Sequence, residues 1–95
     1  MAGYVIVNVL VTDPEQYEKY KPLAAAAVAQ YGGRYLVRGG AMECVEGNWP
    51  QRRIAVLEFP TVEDARRWYF SPEYEAAKRV RAGAATGDFI IVEGA

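Results

Sequence analysis

The chain has 95 residues, 52% hydrophobic and 13% aromatic, with 11 Lys and Arg balanced by 12 Asp and Glu. This length is that of one domain, residues 1–95, and the balanced charge, without a basic stripe among aromatic residues, argues against nucleic-acid binding. The apolar runs fall well short of the roughly 20 residues of a membrane span, and a single cysteine excludes an intrachain disulfide, so we expect a cytoplasmic protein with no membrane partner.

The first predicted element is a strand, Tyr4–Val11, which is rich in β-branched residues. Both of its faces are apolar, apart from Asn8. Such a strand is typical of the centre of a sheet that is covered on both sides.

A helix is predicted next, from Pro14 to about residue 31. Asp13 is the expected N-cap, Pro14 takes the first helical position, and Gln16 is placed to complete a capping box. Pro22 lies inside the helical pattern, where it removes a backbone hydrogen bond and should kink the helix. Gly32-Gly33 can adopt the left-handed conformation that ends a helix.

Two strands follow and are expected to form a hairpin, Arg34–Arg38 and Arg52–Phe59. The pair Gly39-Gly40 should break or bulge the first of them. Ala41–Glu46 is expected to continue it in extended form, before a loop at residues 47–50.

The rest of the chain contains a helix in two pieces and a last strand. Thr61 and Ser71 are each placed to cap a helical start, and the second piece covers Glu73–Ala82. The last strand is Asp88–Glu93. The order β-α-β-β-α-β predicts a ferredoxin-like α+β fold, with a four-stranded antiparallel sheet and the helices on one face. The other face is apolar, which would favour a second subunit packing sheet against sheet.

A family resemblance rests on motifs spread over the whole chain. They are Tyr31-Gly-Gly-Arg-Tyr-Leu-Val-Arg-Gly-Gly40, Glu46-Gly47 before Trp49, Arg53 with Glu58-Phe59-Pro60, Ser71-Pro72-Glu73-Tyr74, and Val92-Glu93-Gly94. In this combination the sequence resembles domain-of-unknown-function family 1330, of the dimeric α+β barrel superfamily. The resemblance implies a homodimer whose two sheets face each other as a barrel.

The superfamily resemblance extends to several activities but selects none of them. It includes small cofactor-free monooxygenases of antibiotic biosynthesis, muconolactone isomerases, and the haem-binding chlorite dismutases and dye-decolourising peroxidases. The haem enzymes usually bind iron through a histidine, and this chain has none. Family 1330 carries no established general reaction, and fold alone does not decide function.

The absence of histidine also restricts the chemistry directly. It excludes a Ser-His-Asp or Cys-His arrangement within the chain and removes the commonest general base and metal ligand. With one cysteine in addition, a zinc site is not expected. We therefore expect no metal and no cofactor, and any catalysis would be cofactor-free proton transfer, isomerisation or oxygenation.

Arg38 and Glu58 are the candidate catalytic residues. Arg38 could bind a ligand carboxylate bidentately or form a structural ion pair with Glu43 or Glu58. Glu58 lies in phase with apolar residues of its strand, so its carboxylate is either paired or raised in pKa, as suits a general base. Arg53 is five positions away and should point to the opposite face of that strand.

The candidate ligand-binding residues are Asn8, Tyr17, Arg38, Trp68 and Arg81. Asn8 could donate to a substrate carbonyl or satisfy a neighbouring backbone group. Tyr17 and Trp68 occur at helical spacing, so they belong to the core or line a pocket between helix and sheet. Arg81 could reach the same pocket as Arg38, or lie on a solvated helix face.

Three further features have structural interpretations. Cys44 has no histidine to activate it and is expected to be a small buried hydrophobe. Trp49 lies in a predicted loop, where we expect it to contact a second subunit or cover a pocket. The run Ser71–Tyr74 is explained as a helix cap with Tyr74 packing inward.

Two functions remain open at this point. In the first, a homodimer binds a small anionic or carbonyl-bearing molecule between sheet and helices, and acts on it without a cofactor if it is an enzyme. In the second, the protein is a non-catalytic dimeric binding or structural module, and its polar residues only stabilise the barrel.

Overall fold

The computed structural model describes residues 1–95 and shows one sheet with three helices on one face. Its strands are antiparallel and follow the order β2-β3-β1-β4. The ferredoxin-like fold expected from the sequence is confirmed. In chain order the elements are β1 Gly3–Val11, α1 Pro14–Gln30, β2 Arg34–Arg38, β3 Arg53–Phe59, α2 Val62–Tyr69, α3 Pro72–Arg81 and β4 Ala85–Glu93.

The central strand β1 divides its side chains between two very different environments. Val5, Val7 and Val9 are buried beneath the helices, whereas Tyr4 and Asn8, on the other face, are only half-buried. The central position predicted for this strand is confirmed, but within one chain only one face is covered. The Cα atoms span 34 × 32 × 16 Å, and the shortest of these dimensions is the thickness of one sheet and one helical layer.

We call the uncovered side of the sheet the open face. The pairing registers place on it alternate residues of all four strands. Several of its aliphatic side chains remain exposed, and Ile90 keeps 51% of its surface accessible. The open face comprises Tyr4, Ile6 and Asn8 of β1, Arg34 and Val37 of β2, Ile54, Val56 and Glu58 of β3, and Asp88, Ile90 and Val92 of β4.

The first helix begins as predicted, with one difference in its cap. The Asp13 carboxylate accepts a hydrogen bond from the backbone N–H of Gln16, at 3.1 Å. The Gln16 side chain does not return to Asp13, because it donates instead to the carbonyl of Val80 in α3. The helix continues past Pro22 to Gln30. None of the three helices has the length and apolar character needed to cross a bilayer.

The other two helices start at the predicted caps. Thr61 and Ser71 each accept a hydrogen bond from the backbone N–H three residues later. The caps orient α2 and α3 so that Trp68 and Tyr74 are fully buried against the sheet, as predicted for Tyr74. Their rings stack with centroids 4.3 Å apart.

The hairpin between β2 and β3 differs from the prediction in two ways. The irregularity in β2 lies between Tyr35 and Val37, where Leu36 has no partner, and not at the double glycine. The extended segment predicted at Ala41–Glu46 is wrong, since no strand occurs between Arg38 and Arg53. The connection is a long exposed loop, whose backbone forms no ladder with any strand.

The last strand starts earlier than predicted, at Ala85. Gly87 therefore lies inside β4 and does not end the preceding helix. A side chain at this position would collide with the carbonyl of Asn8 on β1, so glycine permits the close approach of the two strands.

Candidate functional site

A small cavity lies between the sheet and the helices, and we call it the helix-side cavity. Its volume is about 30 Å³, enough for roughly one water molecule. Apolar and aromatic side chains supply most of its wall. The aromatic residues that surround it are Tyr17, Tyr20, Tyr35, Trp68, Tyr74 and Phe89.

Two tyrosine hydroxyls of this wall are hydrogen-bonded to each other. The Oη atoms of Tyr20 and Tyr74 are 2.6 Å apart, and Nη1 of Arg81 lies 3.5 Å from the Tyr74 oxygen. Burial raises the pKa of Tyr20 to about 12 and raises the pKa of Tyr74 as well. Both phenols therefore stay protonated at neutral pH, where they can donate hydrogen bonds but cannot act as bases.

The indole nitrogen of Trp68 also belongs to this environment. Trp68 is 1% exposed, and its Nε1–H has no hydrogen-bond partner in the protein. An unsatisfied buried donor is unfavourable by roughly 1–3 kcal/mol. The nitrogen itself is fully buried, so a water or ligand oxygen would reach it only after a neighbouring side chain moved.

Positively charged side chains form the rim of the cavity. The Arg38 guanidinium lies 4.5 Å from the ring centre of Tyr35, and that of Arg53 lies 5.6 Å from the ring centre of Tyr17. Neither arginine forms an ion pair, whereas the third cation, Lys21, is bound to Glu18 at 2.8 Å. The two guanidiniums are thus free to bind an anion.

The bulge in β2 decides on which face Arg38 lies. In a regular strand Arg38 would share a face with Arg34, which belongs to the open face. Because Leu36 is extra, the alternation shifts and Arg38 pairs with Ala55 on the helix side. Gly39 follows with a φ of 69°, and a side chain there would occupy the position of the Arg53 guanidinium.

Three of the predicted site residues meet at the helix-side cavity, namely Tyr17, Arg38 and Trp68. The ion pairs proposed as the alternative for Arg38, with Glu43 or Glu58, do not occur. Tyr20 shares the helical spacing of Tyr17 and is open to the same two interpretations, core or pocket wall. Sequence reasoning missed Tyr35 and Arg53, and it assigned Tyr74 to the core. The alternation of β3 already places Arg53 with Ala55 and Leu57, toward the helices, and could have revealed it.

Glu58 lies on the open face, on the other side of the sheet from the cavity. Its carboxylate accepts a hydrogen bond from Nε of Arg34 at 2.7 Å and from the Tyr4 hydroxyl at 3.1 Å. The hydrogen bonds from Arg34 and then Tyr4 hold the pKa of Glu58 below its usual range. Of the two expected states of this carboxylate, paired or raised in pKa, the structure shows the paired one. Arg53 faces the opposite side, as predicted.

Asn8 is likewise on the open face, between Ile54 of β3 and Asp88 of β4. Its Oδ1 atom is buried and has no hydrogen-bond partner. The side chain therefore satisfies no backbone group through this atom, and it is separated from the helix-side cavity by the sheet.

Arg81 lines a different space, which we call the α3–β4 cleft. This cleft has a volume of about 440 Å³ and is also lined by Lys78, Tyr69, Thr86 and Phe89. Arg81 reaches the wall of the helix-side cavity from outside, because its guanidinium lies 4.3 Å from the ring centre of Phe89. Arg81 and Arg38 therefore line different spaces and do not share the predicted pocket.

The loop between β2 and β3 carries the remaining candidates. Cys44 is exposed, with its Sγ directed at the carbonyls of Glu46 and Gly47, so the prediction of a buried cysteine is wrong. Trp49 is 53% exposed and Val45 is 85% exposed. Both line a cleft together with Ile6 and Ile54 of the open face, and the subunit contact or pocket cover expected for Trp49 stays a prediction.

Comparison with known families identifies the chain's relatives. Its sequence matches the family described as Domain of unknown function (DUF1330) over residues 2–95. The chain belongs to this family. The resemblance inferred from the motifs of this DUF1330 protein is thereby confirmed. None of the curated proteins matches the sequence.

Solved structures with the same fold cover nearly the whole DUF1330 chain. The RPA0582 protein of unknown function from Rhodopseudomonas palustris has a TM-score of 0.77 at 17% identity, over 99% of this chain and 82% of its own. SnoaB, a cofactor-independent oxygenase from Streptomyces nogalater, has a TM-score of 0.68 at 13% identity, over 99% and 93%. A dimeric protein of unknown function and ferredoxin-like fold from Bacteroides fragilis has 0.59 at 17% identity, over 98% and 96%. At these identities the likeness concerns the fold.

Proposed function

We propose that this DUF1330 protein binds a small organic anion, of the aromatic or conjugated carboxylate class, in the helix-side cavity of each subunit of a homodimer. The observation that carries the proposal is the pair of guanidiniums of Arg38 and Arg53, which form no ion pair at the rim of an aromatic cavity. Ligand sites of this general kind combine apolar walls with a few directed polar groups.

The rim favours an anion for an electrostatic reason. A cation near aromatic rings has lost part of its hydration, and a carboxylate would restore strong hydrogen bonds to the guanidinium. The half-buried Arg53 would gain the strongest hydrogen bonds from such a ligand. Its guanidinium lies against the backbone of Gly39, where the absence of a side chain leaves room for it. The apolar part of the ligand would then contact Tyr17 and Tyr35.

The cavity interior favours a second polar atom that accepts hydrogen bonds. The N–H of Trp68 lacks a partner, and the phenols of Tyr20 and Tyr74 remain protonated. A carbonyl oxygen or enolate oxygen would match these donors. If the protein is an enzyme, its reaction would be cofactor-free proton transfer or oxygenation, for which the SnoaB fold offers a precedent. Glu58 lies on the other face, so the phenols take the acid role in this proposal.

The homodimer is supported by the open face. Aliphatic side chains of this size and number are rarely left in contact with water on a monomer, and one relative of the same fold is described as dimeric. Packing two open faces together would cover Ile90 and Val92.

A second function, a non-catalytic dimeric structural module, is favoured by the cavity size. A volume of about 30 Å³ holds one water and no organic ligand unless a wall moves. Under this alternative Arg38 and Arg53 only cover the tyrosine rings by cation–π contacts.

Thermal unfolding in the presence of small carboxylates would separate the two functions. Benzoate, 4-hydroxybenzoate and an aliphatic control such as butyrate would be titrated against wild type, Arg38→Gln, Arg53→Gln and Arg52→Gln. Arg52 is the matched control, because it neighbours Arg53 but lines no part of the cavity. Ligand binding to the native state raises the melting temperature in proportion to the logarithm of ligand concentration above Kd.

We expect the aromatic acids to raise the melting temperature of wild type and of Arg52→Gln. We expect each substitution at the rim, Arg38→Gln or Arg53→Gln, to weaken binding by roughly tenfold, the value of one charge-assisted hydrogen bond. An effect of Arg52→Gln equal to that of Arg53→Gln would contradict the assignment of the rim. Absence of any shift in wild type would support the structural module.

A further inference from the structure

One side chain, Phe89, separates the helix-side cavity from the open space beyond it. It lines that cavity and also the α3–β4 cleft. It lines in addition an apolar groove of about 380 Å³ next to α2, which we call the α2–β4 cleft and which also contains Phe70 and Ile91. Phe89 is thus the one lining residue that the cavity of about 30 Å³ shares with each of the two larger clefts.

Part of the wall of the helix-side cavity is fixed by packing. Val7, Ala55, Leu57 and Trp68 are all buried and come from central strands or from the helix facing them. Displacing any of them would disrupt the core. Phe89 differs from these four residues, because it is only half-buried and belongs to β4, an edge strand that pairs with β1 alone. Tyr35 is also half-buried and belongs to the other edge strand, β2, but unlike Phe89 it lines neither cleft.

The far side of the Phe89 ring carries unpaired positive charge. The Arg81 guanidinium lies 4.3 Å from the ring centre and forms no ion pair, and its one polar contact is the Tyr74 hydroxyl at 3.5 Å. Lys78 is nearby in the same cleft but is bound to Glu75 at 2.6 Å. Arg81 is thus the free cation of the α3–β4 cleft, as Arg38 and Arg53 are at the cavity rim.

We propose that Phe89 is the residue that determines ligand length, because its ring closes the helix-side cavity, and that displacing it joins this cavity to the α3–β4 cleft with Arg81 at the new end. This rests on the proposed function. The joined site has cations at both ends and aromatic walls between them. Its ligand is therefore a conjugated carboxylate of more than one ring, with an acidic or carbonyl group at the end opposite its carboxylate.

A graded series of aromatic carboxylates tests this assignment. Dissociation constants of benzoate, 2-naphthoate and 6-hydroxy-2-naphthoate would be measured by titration calorimetry for wild type, Phe89→Ala, Phe89→Leu and Ile91→Ala. Ile91 is the matched control, since it is on the same strand and face and lines the α2–β4 cleft but not the cavity. Phe89→Leu keeps the variant apolar and foldable if Phe89→Ala unfolds.

We expect Phe89→Ala, and to a smaller extent Phe89→Leu, to improve the affinity for the two naphthoates relative to benzoate by at least about tenfold, the discrimination typical of a changed apolar pocket. Ile91→Ala should leave that ratio unchanged. Adding Arg81→Gln to Phe89→Ala should weaken 6-hydroxy-2-naphthoate more than benzoate, because only the longer ligand reaches this end.

The possible failures are distinguishable. If benzoate binds and depends on Arg38 and Arg53 but neither Phe89 variant changes the ratio, the role of Phe89 is overturned and the proposed function stands. The same holds if Ile91→Ala changes the ratio equally. If no carboxylate binds wild type or any variant, both the proposed function and the role of Phe89 are overturned.

Discussion

The two sides of the sheet combine polar and apolar groups in opposite ways. On the helix side, polar groups without partners, among them Arg53 and the Trp68 indole N–H, stand among buried aromatic rings. On the open face the main charge, Glu58, is fully paired, and it stands among exposed aliphatic side chains. Unpaired polar groups in a buried surrounding suit a small ligand, whereas exposed apolar groups with paired charges suit a protein partner.

Asn8 and Asp88, which are opposite each other on the open face, are exceptions, because neither the amide oxygen nor the carboxylate has a partner there. The Oδ1 of Asn8 is an unpaired polar atom on the open face, at the centre of the strand β1. Substitutions on the two sides of the sheet are therefore expected to have different consequences.

The largest effect is expected from the two tryptophans. Trp68→Ala should lower the free energy of unfolding by about 3–5 kcal/mol, since it empties a fully buried site in the helix-side core. Trp49→Ala, in the exposed loop, should change the stability of the separated protomer by less than about 0.5 kcal/mol. Urea unfolding followed by circular dichroism at several protein concentrations measures both. Equal losses for the two variants at low concentration would contradict the division between the two sides.

The second effect concerns association through the open face. Ile90→Asp should weaken the dimer by at least about a hundredfold, because an unpaired carboxylate buried in an apolar interface is unfavourable by several kcal/mol. The separated protomer should remain folded, since Ile90 is 51% exposed in it. Sedimentation velocity over a range of concentrations measures the change.

Leu23→Asp supplies the control for this prediction. Leu23 is similarly exposed, at 43%, but it lies on α1 on the helix side. The dimer should survive this substitution. If Leu23→Asp dissociated the dimer and Ile90→Asp did not, the interface would lie on the helix side, and our proposal would be contradicted.

The smallest effect is a pH dependence that differs between the two sides. Burial raises the pKa of Tyr20 from 10.0 to about 12, so its contribution to stability is present below pH 10 and is lost as the pH rises toward 12. The hydrogen bonds of Glu58 lower its pKa below 4.5, so its contribution is present above that pH and is lost as the pH falls further. Melting temperatures measured against pH should therefore decline at both ends.

Two conservative variants assign the two declines. Tyr20→Phe should reduce the alkaline decline, to which the raised pKa values of Tyr74 and Tyr35 also contribute, and leave the acid one. Glu58→Gln should reduce the acid decline. If Glu58→Gln left the acid decline unchanged, the pairing of Glu58 would be contradicted, and if it lowered carboxylate binding, the separation of Glu58 from the helix-side cavity would be contradicted.

The sequence by itself determined the order of the elements, the helix caps and the family. These features depend on local chemistry, such as the side-chain oxygens of Asp13, Thr61 and Ser71 beside free backbone N–H groups. The alternation of β3 likewise predicted that Arg53 and Glu58 point to opposite faces. Local periodicity suffices for such statements because it repeats every two or 3.6 residues.

Only the tertiary structure decided which side chains meet. The extra residue Leu36 turns Arg38 toward the helices, and no local signal in the sequence marks where a bulge will form, because it depends on pairing with a distant strand. The partners of Glu58, the shielding of Trp68 and the position of Phe89 between cavity and cleft likewise arise from contacts across the sheet. Packing between distant segments, and not pattern along the chain, therefore assembles the candidate site.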